Sequence, residues 1–84
     1  MAVYVNKLRT RFGGMTMCHL LADTLDELHA MAARIGMEKL LFQNETIPHY
    51  DISRTKRELA IAAGAIVIDR HQLADLIRKY QPAP

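Results

Sequence analysis

Apolar positions in this chain fall into short clusters whose spacing changes from one segment to the next. Ala2-Val3-Tyr4-Val5 is rich in β-branched and aromatic residues and predicts a strand ending at Asn6. Lys7 to Met15 carries three cations and the pair Gly13-Gly14 with no clear period, which predicts a loop. Met17 to Ala22 is a nearly continuous apolar run, the pattern of a strand covered on both faces. Asp23-Thr24 then supplies a helix start, with Thr24 and Glu27 at capping-box spacing. Leu25, Leu28, Ala32 and Ile35 recur at three and four, one apolar helical face, and Gly36 is suited to a left-handed stop.

The second half repeats this logic. Lys39 to Gln43 is apolar at its centre and predicts a third strand, and Pro48 keeps Ile47 extended. Asp51 or Ser53 caps a second helix running to about Gly64, with Leu59, Ala62 and Ala63 as its buried side. Ala65 to Ile68 predicts a fourth strand, and Asp69 with Gln72 opens a third helix whose apolar face is Leu73, Leu76, Ile77 and Tyr80. The order β-β-α-β-α-β-α predicts an α/β fold: a small, mainly parallel four-stranded sheet with about three helices. The alternative is α+β with an antiparallel edge strand, because Ala2 to Val5 can pair either way. Residues 1–80 are expected to form a single domain and 81–84 a flexible tail.

Composition narrows this picture only slightly. At 84 residues the margin between apolar burial and chain entropy is modest, so a second copy of the chain, as a homodimer, is one way to complete the core. A net charge of +2 does not by itself imply nucleic acid. The single cysteine, Cys18, forms no internal disulfide and lies in an apolar run, as a small buried hydrophobe does. No apolar run approaches the length of about 18 residues that spans a bilayer, so no membrane partner is expected and a cytoplasmic location follows by default.

Candidate chemistry concentrates in Phe42 to Arg57, where an imidazole, a phenol, a carboxylate and three cations lie within the nine positions His49 to Arg57. If the sheet is parallel, a ligand belongs beyond the carboxyl ends of its strands. Asn6 and Lys7, Asp23 and Thr24, Gln43 and Asn44, and Asp69 and Arg70 follow the four expected strands, although helix capping alone explains Asp23 and Asp69. Three chemistries fit this rim. Arg54, Lys56 and Arg57 at a helix start, with His49 and Lys7, suit a phosphate of a nucleotide or nucleic acid. His19, Asp23, His49 and Asp51 have the donor types for a divalent metal, which beside a basic loop suggests phosphodiester hydrolysis, but they form no HExxH or comparable motif. His49 with Tyr50 as donor and Asp51 as orienting carboxylate forms an acid–base set, in which alternation along an extended segment puts His49 and Asp51 on one side and Tyr50 on the other.

Several short segments in a fixed order carry a resemblance: Tyr4-Val5, His19-Leu20 through Ala22-Asp23, Glu27-Leu28-His29-Ala30, Arg34-Ile35-Gly36, Phe42-Gln43, His49-Tyr50-Asp51, Lys56-Arg57 and Ala63-Gly64-Ala65. Together they resemble the bacterial and phage family known as domain of unknown function 4031, over about Tyr4 to Ala65. The family pattern places an aspartate after Tyr-Val and a tryptophan before Phe-Gln; this chain has Asn6 and Leu41 there, and Asn6 weakens the case for an acidic metal ligand at the end of the first strand. The resemblance implies that His19, Asp23, Gln43, His49, Tyr50 and Asp51 belong together, and it implies a phage or mobile-element origin. The leading expectation is a non-enzymatic or weakly enzymatic binding module for a phosphate-bearing ligand at the strand ends. A metal-dependent phosphodiesterase or nuclease is the first alternative, and a domain that binds or inhibits a host protein is the second.

Overall fold

The computed structural model describes residues 2–7, 10–12, 15–44 and 47–80, and for 10–12 and 15 the backbone alone. Its elements run β1 (Val3–Val5), β2 (Thr10–Phe12), β3 (Met15–Ala22), α1 (Leu25–Arg34), a 3-10 turn (Lys39–Leu41), β4 (Gln43–Asn44), β5 (Pro48–Ser53), α2 (Arg54–Ala62), β6 (Ile66–Val67) and α3 (Arg70–Lys79). Five strands lie in the order β4-β5-β3-β1-β6, and β2 pairs with β3 off that path.

The fold is therefore α+β in character, with a mixed sheet, and the expectation of a mainly parallel sheet is overturned. β3 is antiparallel to β1, β2 and β5, and β4 is antiparallel to β5. Only β1 and β6 run parallel among the described strands. Two local features produce the difference. Lys39–Leu41, read as the start of a strand, coils into a 3-10 turn. Pro48–Ser53, read as an extended loop, is a ladder strand beside β3. Proline is tolerated there because it is the strand's first residue, where a missing N–H costs least. The expected loop from Lys7 to Met15 also contains strand, since Thr10–Phe12 pairs with Met15–Met17. Gly13-Gly14 and the 81–84 tail lie outside the described residues.

A helical layer covers each face of the sheet. On one face Val5, Cys18, Leu20, Ala22, Tyr50 and Ile52 meet Leu28, Met31, Ala32 and Ile35 of the α1 region and Ala60 of α2. On the other, Leu21, Ile47 and Ile68 meet Leu76, with Tyr4, Leu73, Ile77 and Tyr80 packed around them. Burial on both sides explains why β3 reads as a continuous apolar run. On α2 the buried position is Ala60, while Leu59, expected to face the core, is half exposed; the small side chain lets the helix axis approach the sheet.

Capping follows the sequence closely. Thr24 accepts from the Glu27 N–H, Ser53 from that of Lys56, and Asp69 with Gln72 forms a reciprocal box at α3. Asp51 is not the cap of α2, which leaves its carboxylate free for other partners. Gly36 closes α1 at φ +84°, and a Cβ there would lie 3.1 Å from Lys56 Nζ. Gly36→Ala is expected to cost about 1–2 kcal/mol from the left-handed backbone alone, read as a lower urea midpoint with an unchanged m-value.

Burial pushes the Cys18 thiol up from 9.0 to about 11. A raised thiol pKa favours the protonated folded form, so its contribution to stability is complete below the unfolded value and is lost as pH rises through about 11. Consistent with that sign, a thiol-specific disulfide reagent at pH 8 is expected to label Cys18 far more slowly in the native chain than in urea.

Candidate metal centre

The face of the sheet that carries α3 is only partly covered by it. Alternation along β3 puts His19 on the same side as Leu21, and alternation along β5 puts His49 with Asp51 on that side and Tyr50 on the other. Antiparallel register then sets His19 directly opposite Asp51. The geometry comes from the ladder, so His19 joins His49 and Asp51, which lie much further along the chain, on one patch of rigid strand.

Their polar atoms converge on a single oxygen. His19 Nδ1 lies 2.8 Å from Asp51 Oδ1, and His49 Nε2 lies 3.6 Å from the same atom. The two imidazoles meet edge to face, with centroids 4.4 Å apart. One donor atom from each of the three residues falls within 4.8 Å of the others. Gln43 on β4 donates from Nε2 to Asp51 Oδ2 at 2.6 Å, which fixes the carboxylate so that Oδ1 faces the histidines.

The tautomer of His49 follows from its other nitrogen. Nδ1 sits 2.8 Å from the carbonyl oxygen of Ile47. A carbonyl can only accept, so Nδ1 carries the hydrogen, and in the neutral ring Nε2 presents a bare lone pair. That lone pair faces a carboxylate oxygen, an arrangement of two acceptors that is repulsive until a positive charge lies between them. A metal ion or a proton supplies that charge. An imidazole anchored through one nitrogen to a backbone carbonyl, with the other aimed at an acidic partner, is the usual outer-shell arrangement of a metal-ligating histidine. His49 is also mostly buried, while His19 and Asp51 remain accessible along one side.

The other residues singled out by sequence are distributed differently. Asp23, grouped with the metal donors, follows the far end of β3, where it accepts from the Tyr4 hydroxyl and the Ala2 N–H, both at 2.8 Å. Antiparallel pairing is the reason: the carboxyl ends of β1 and β3 point in opposite directions, so one rim cannot hold the residues that follow both. Tyr50 is fully buried against α1, its hydroxyl 2.7 Å from His29 Nδ1. Lys56 donates to the Ile35 carbonyl at 3.0 Å and so caps α1, and Arg57 Nε donates to the Asn6 carbonyl at 3.0 Å. Arg54 is exposed at the start of α2. The expected set of Arg54, Lys56, Arg57, His49 and Lys7 is thus not gathered around one point.

Lys7 joins a different group. Because β1 and β6 are parallel, their carboxyl ends do share a rim, and there Asn6, Lys7, Asp69, Arg70 and His71 line a groove of about 460 Å³. Asn6 connects the groove and the His19 cluster: its Oδ1 accepts from the His19 N–H at 2.7 Å, in the stretch where the register with β3 shifts between Val5–Leu20 and Thr10–Met17. Its side chain replaces a ladder acceptor that the shift removes. The sequence places Asn6 at the end of the first strand and marks it as a departure from an aspartate pattern, but nothing in the sequence singles out His71.

A family model described as "Protein of unknown function (DUF4031)" matches residues 3–80. The chain belongs to this family. The match spans the described fold from β1 through α3, so the DUF4031 unit includes the third helix and the groove, beyond the part that the sequence resemblance covered. Searches of curated proteins and of solved structures found no match.

Gln43→Ala tests the support of the centre. With Asp51 Oδ2 unheld, affinity for Zn²⁺ or Co²⁺ is expected to fall about tenfold, the size of a lost outer-shell hydrogen bond. Titration monitored by Co²⁺ absorption is the measurement.

Proposed function

We propose that this DUF4031 chain is a metal-dependent module acting on a phosphate ester, with a divalent transition-metal ion held by His19, His49 and Asp51. The observation that carries this reading is the Nε2 of His49, left bare by its Nδ1 hydrogen bond and directed at Asp51 Oδ1 beside His19. Two imidazoles and one carboxylate favour Zn²⁺, Mn²⁺, Fe²⁺ or Co²⁺ over Mg²⁺ and Ca²⁺, which prefer all-oxygen sets. Three protein donors on an open face leave coordination positions for water and substrate. An ion in such a site polarises a phosphoryl oxygen and lowers the pKa of its water. Asp51, held by Gln43, keeps the site anionic and oriented, and Asn6 fixes the backbone of His19.

The test is a metal titration followed by hydrolysis of bis(p-nitrophenyl) phosphate. Saturable binding of Mn²⁺, Co²⁺ or Zn²⁺ and turnover that requires the ion support the reading. No binding up to millimolar metal, or hydrolysis unchanged in His19→Ala, eliminates it. A second reading, a binding module for a phosphate-bearing ligand without hydrolysis, is favoured by the basic groove at the β1–β6 rim; metal binding without turnover would select it.

A further inference from the structure

We infer that the groove at the carboxyl ends of β1 and β6 is an anion subsite for a nucleotide-sized phosphate ester, with Lys7 and Arg70 as its cationic contacts. The inference deepens the metal reading by naming its substrate class, and it rests on that reading only for what happens to the ester after binding.

Three observations carry it. The first is the cavity itself, about 460 Å³, lined by apolar Ile68 and Leu73 and by Lys7, Arg70 and His71, with the Asp69 carboxylate bonded to the Gln72 N–H. That volume lies in the range of small-ligand sites and is too small for more than a nucleotide or two. The second is position. Asn6 lines the groove and also accepts from the His19 N–H, and Asn6, His19 and α3 share the same side of the sheet. A phosphate held between Lys7 and Arg70 is therefore linked through Asn6 to His19, one of the three residues that would hold the metal. The groove is bordered by the start of α3, where Asp69 accepts from the Gln72 N–H and the first turn of a helix favours negative charge.

The third observation separates a nucleotide from a polymer. A long polynucleotide needs a continuous track of free cations. Among the described residues, Lys56 and Arg57 are drawn onto the carbonyls of Ile35, Gly36 and Asn6, and Arg78 pairs with Asp75. Lys7 and Arg70 are the two full cations that line the groove, which suits a single anionic group.

The experiment is calorimetric titration of the full chain with adenosine 5′-monophosphate, without metal and then with Mn²⁺, in wild type and in Lys7→Ala/Arg70→Ala. Both side chains are exposed, so the double variant is expected to melt at the wild-type temperature. The expected result is saturable binding to wild type, weakened by about tenfold or more in the double variant, with Mn²⁺ affinity changed less than about twofold. Lys7→Glu is the second variant and should remove binding altogether. Equal binding of the nucleotide by wild type and both variants overturns the inference, as does its failure to bind wild type at all. A 20-nucleotide single strand that binds far more tightly than the monophosphate also overturns it, by making the ligand a polymer. Loss of nucleotide binding in the double variant of a chain that binds no metal would keep the subsite and reject the metal reading, so the two failures are distinguishable.

Discussion

Substituting His49 with alanine is expected to lower affinity for Co²⁺ or Zn²⁺ by about two orders of magnitude or more, and to abolish any metal-dependent hydrolysis with it. The expectation follows from geometry. His49 is the one imidazole of the pair whose free nitrogen is fixed by a backbone hydrogen bond, from Nδ1 to Ile47 O at 2.8 Å. It is also the more buried of the two, so water replaces its donor atom poorly. Without it, His19 and Asp51 remain as two donors that bond each other at 2.8 Å. A stability effect has to be separated from the metal effect, because the variant leaves a buried carbonyl unpaired at about 1–3 kcal/mol. His19→Ala provides the control. That residue is part exposed and its loss opens less of the interior, yet it should lose metal to a similar degree. Wild-type melting with wild-type Co²⁺ absorption in His19→Ala would remove the centre from consideration.

Much of the His19, His49 and Asp51 cluster is legible in the sequence, and the part that is not has a definite physical cause. His49 and Asp51 are two apart in an extended segment, and period-two alternation alone puts them on one side. Pairing with His19 needs the register of β3 against β5, which no local pattern encodes. Asp23 has a suitable donor and follows an expected strand end, but it stands four residues beyond His19, and four residues along a strand span about 13 Å. The parallel topology failed at Pro48–Ser53: proline and the polar residues around it read as loop, while cross-strand pairing with β3 made it a ladder strand. In the same way the pairing of Thr10–Phe12 with Met15–Met17 is hidden by the absence of apolar alternation in that segment. The expected rim of four strand ends is reduced to Asn6-Lys7 and Asp69-Arg70, because β1 and β6 are the pair that is parallel.

Tyr50 marks the boundary between what the site needs and what the core needs, and two substitutions separate them. Tyr50→Ala is expected to cost about 3–5 kcal/mol, as for other buried aromatics, and in a domain this small that approaches the whole stability. The ring lies between β5 and α1, with Phe42 at 5.6 Å and His29 at 5.9 Å between centroids, and it is 1% exposed. Tyr50→Phe keeps the ring and removes only the hydroxyl that meets His29 Nδ1 at 2.7 Å. The expected cost is about 1 kcal/mol, because His29 is only part buried and can turn its nitrogen to water. Metal affinity in Tyr50→Phe should equal that of wild type, since β5 directs Tyr50 to the opposite face from His49 and Asp51. Chemical denaturation gives the first two numbers and Co²⁺ titration the third. Loss of metal binding in Tyr50→Phe with unchanged stability would return the phenol to the site, and with it the acid–base role that its burial against α1 now argues against.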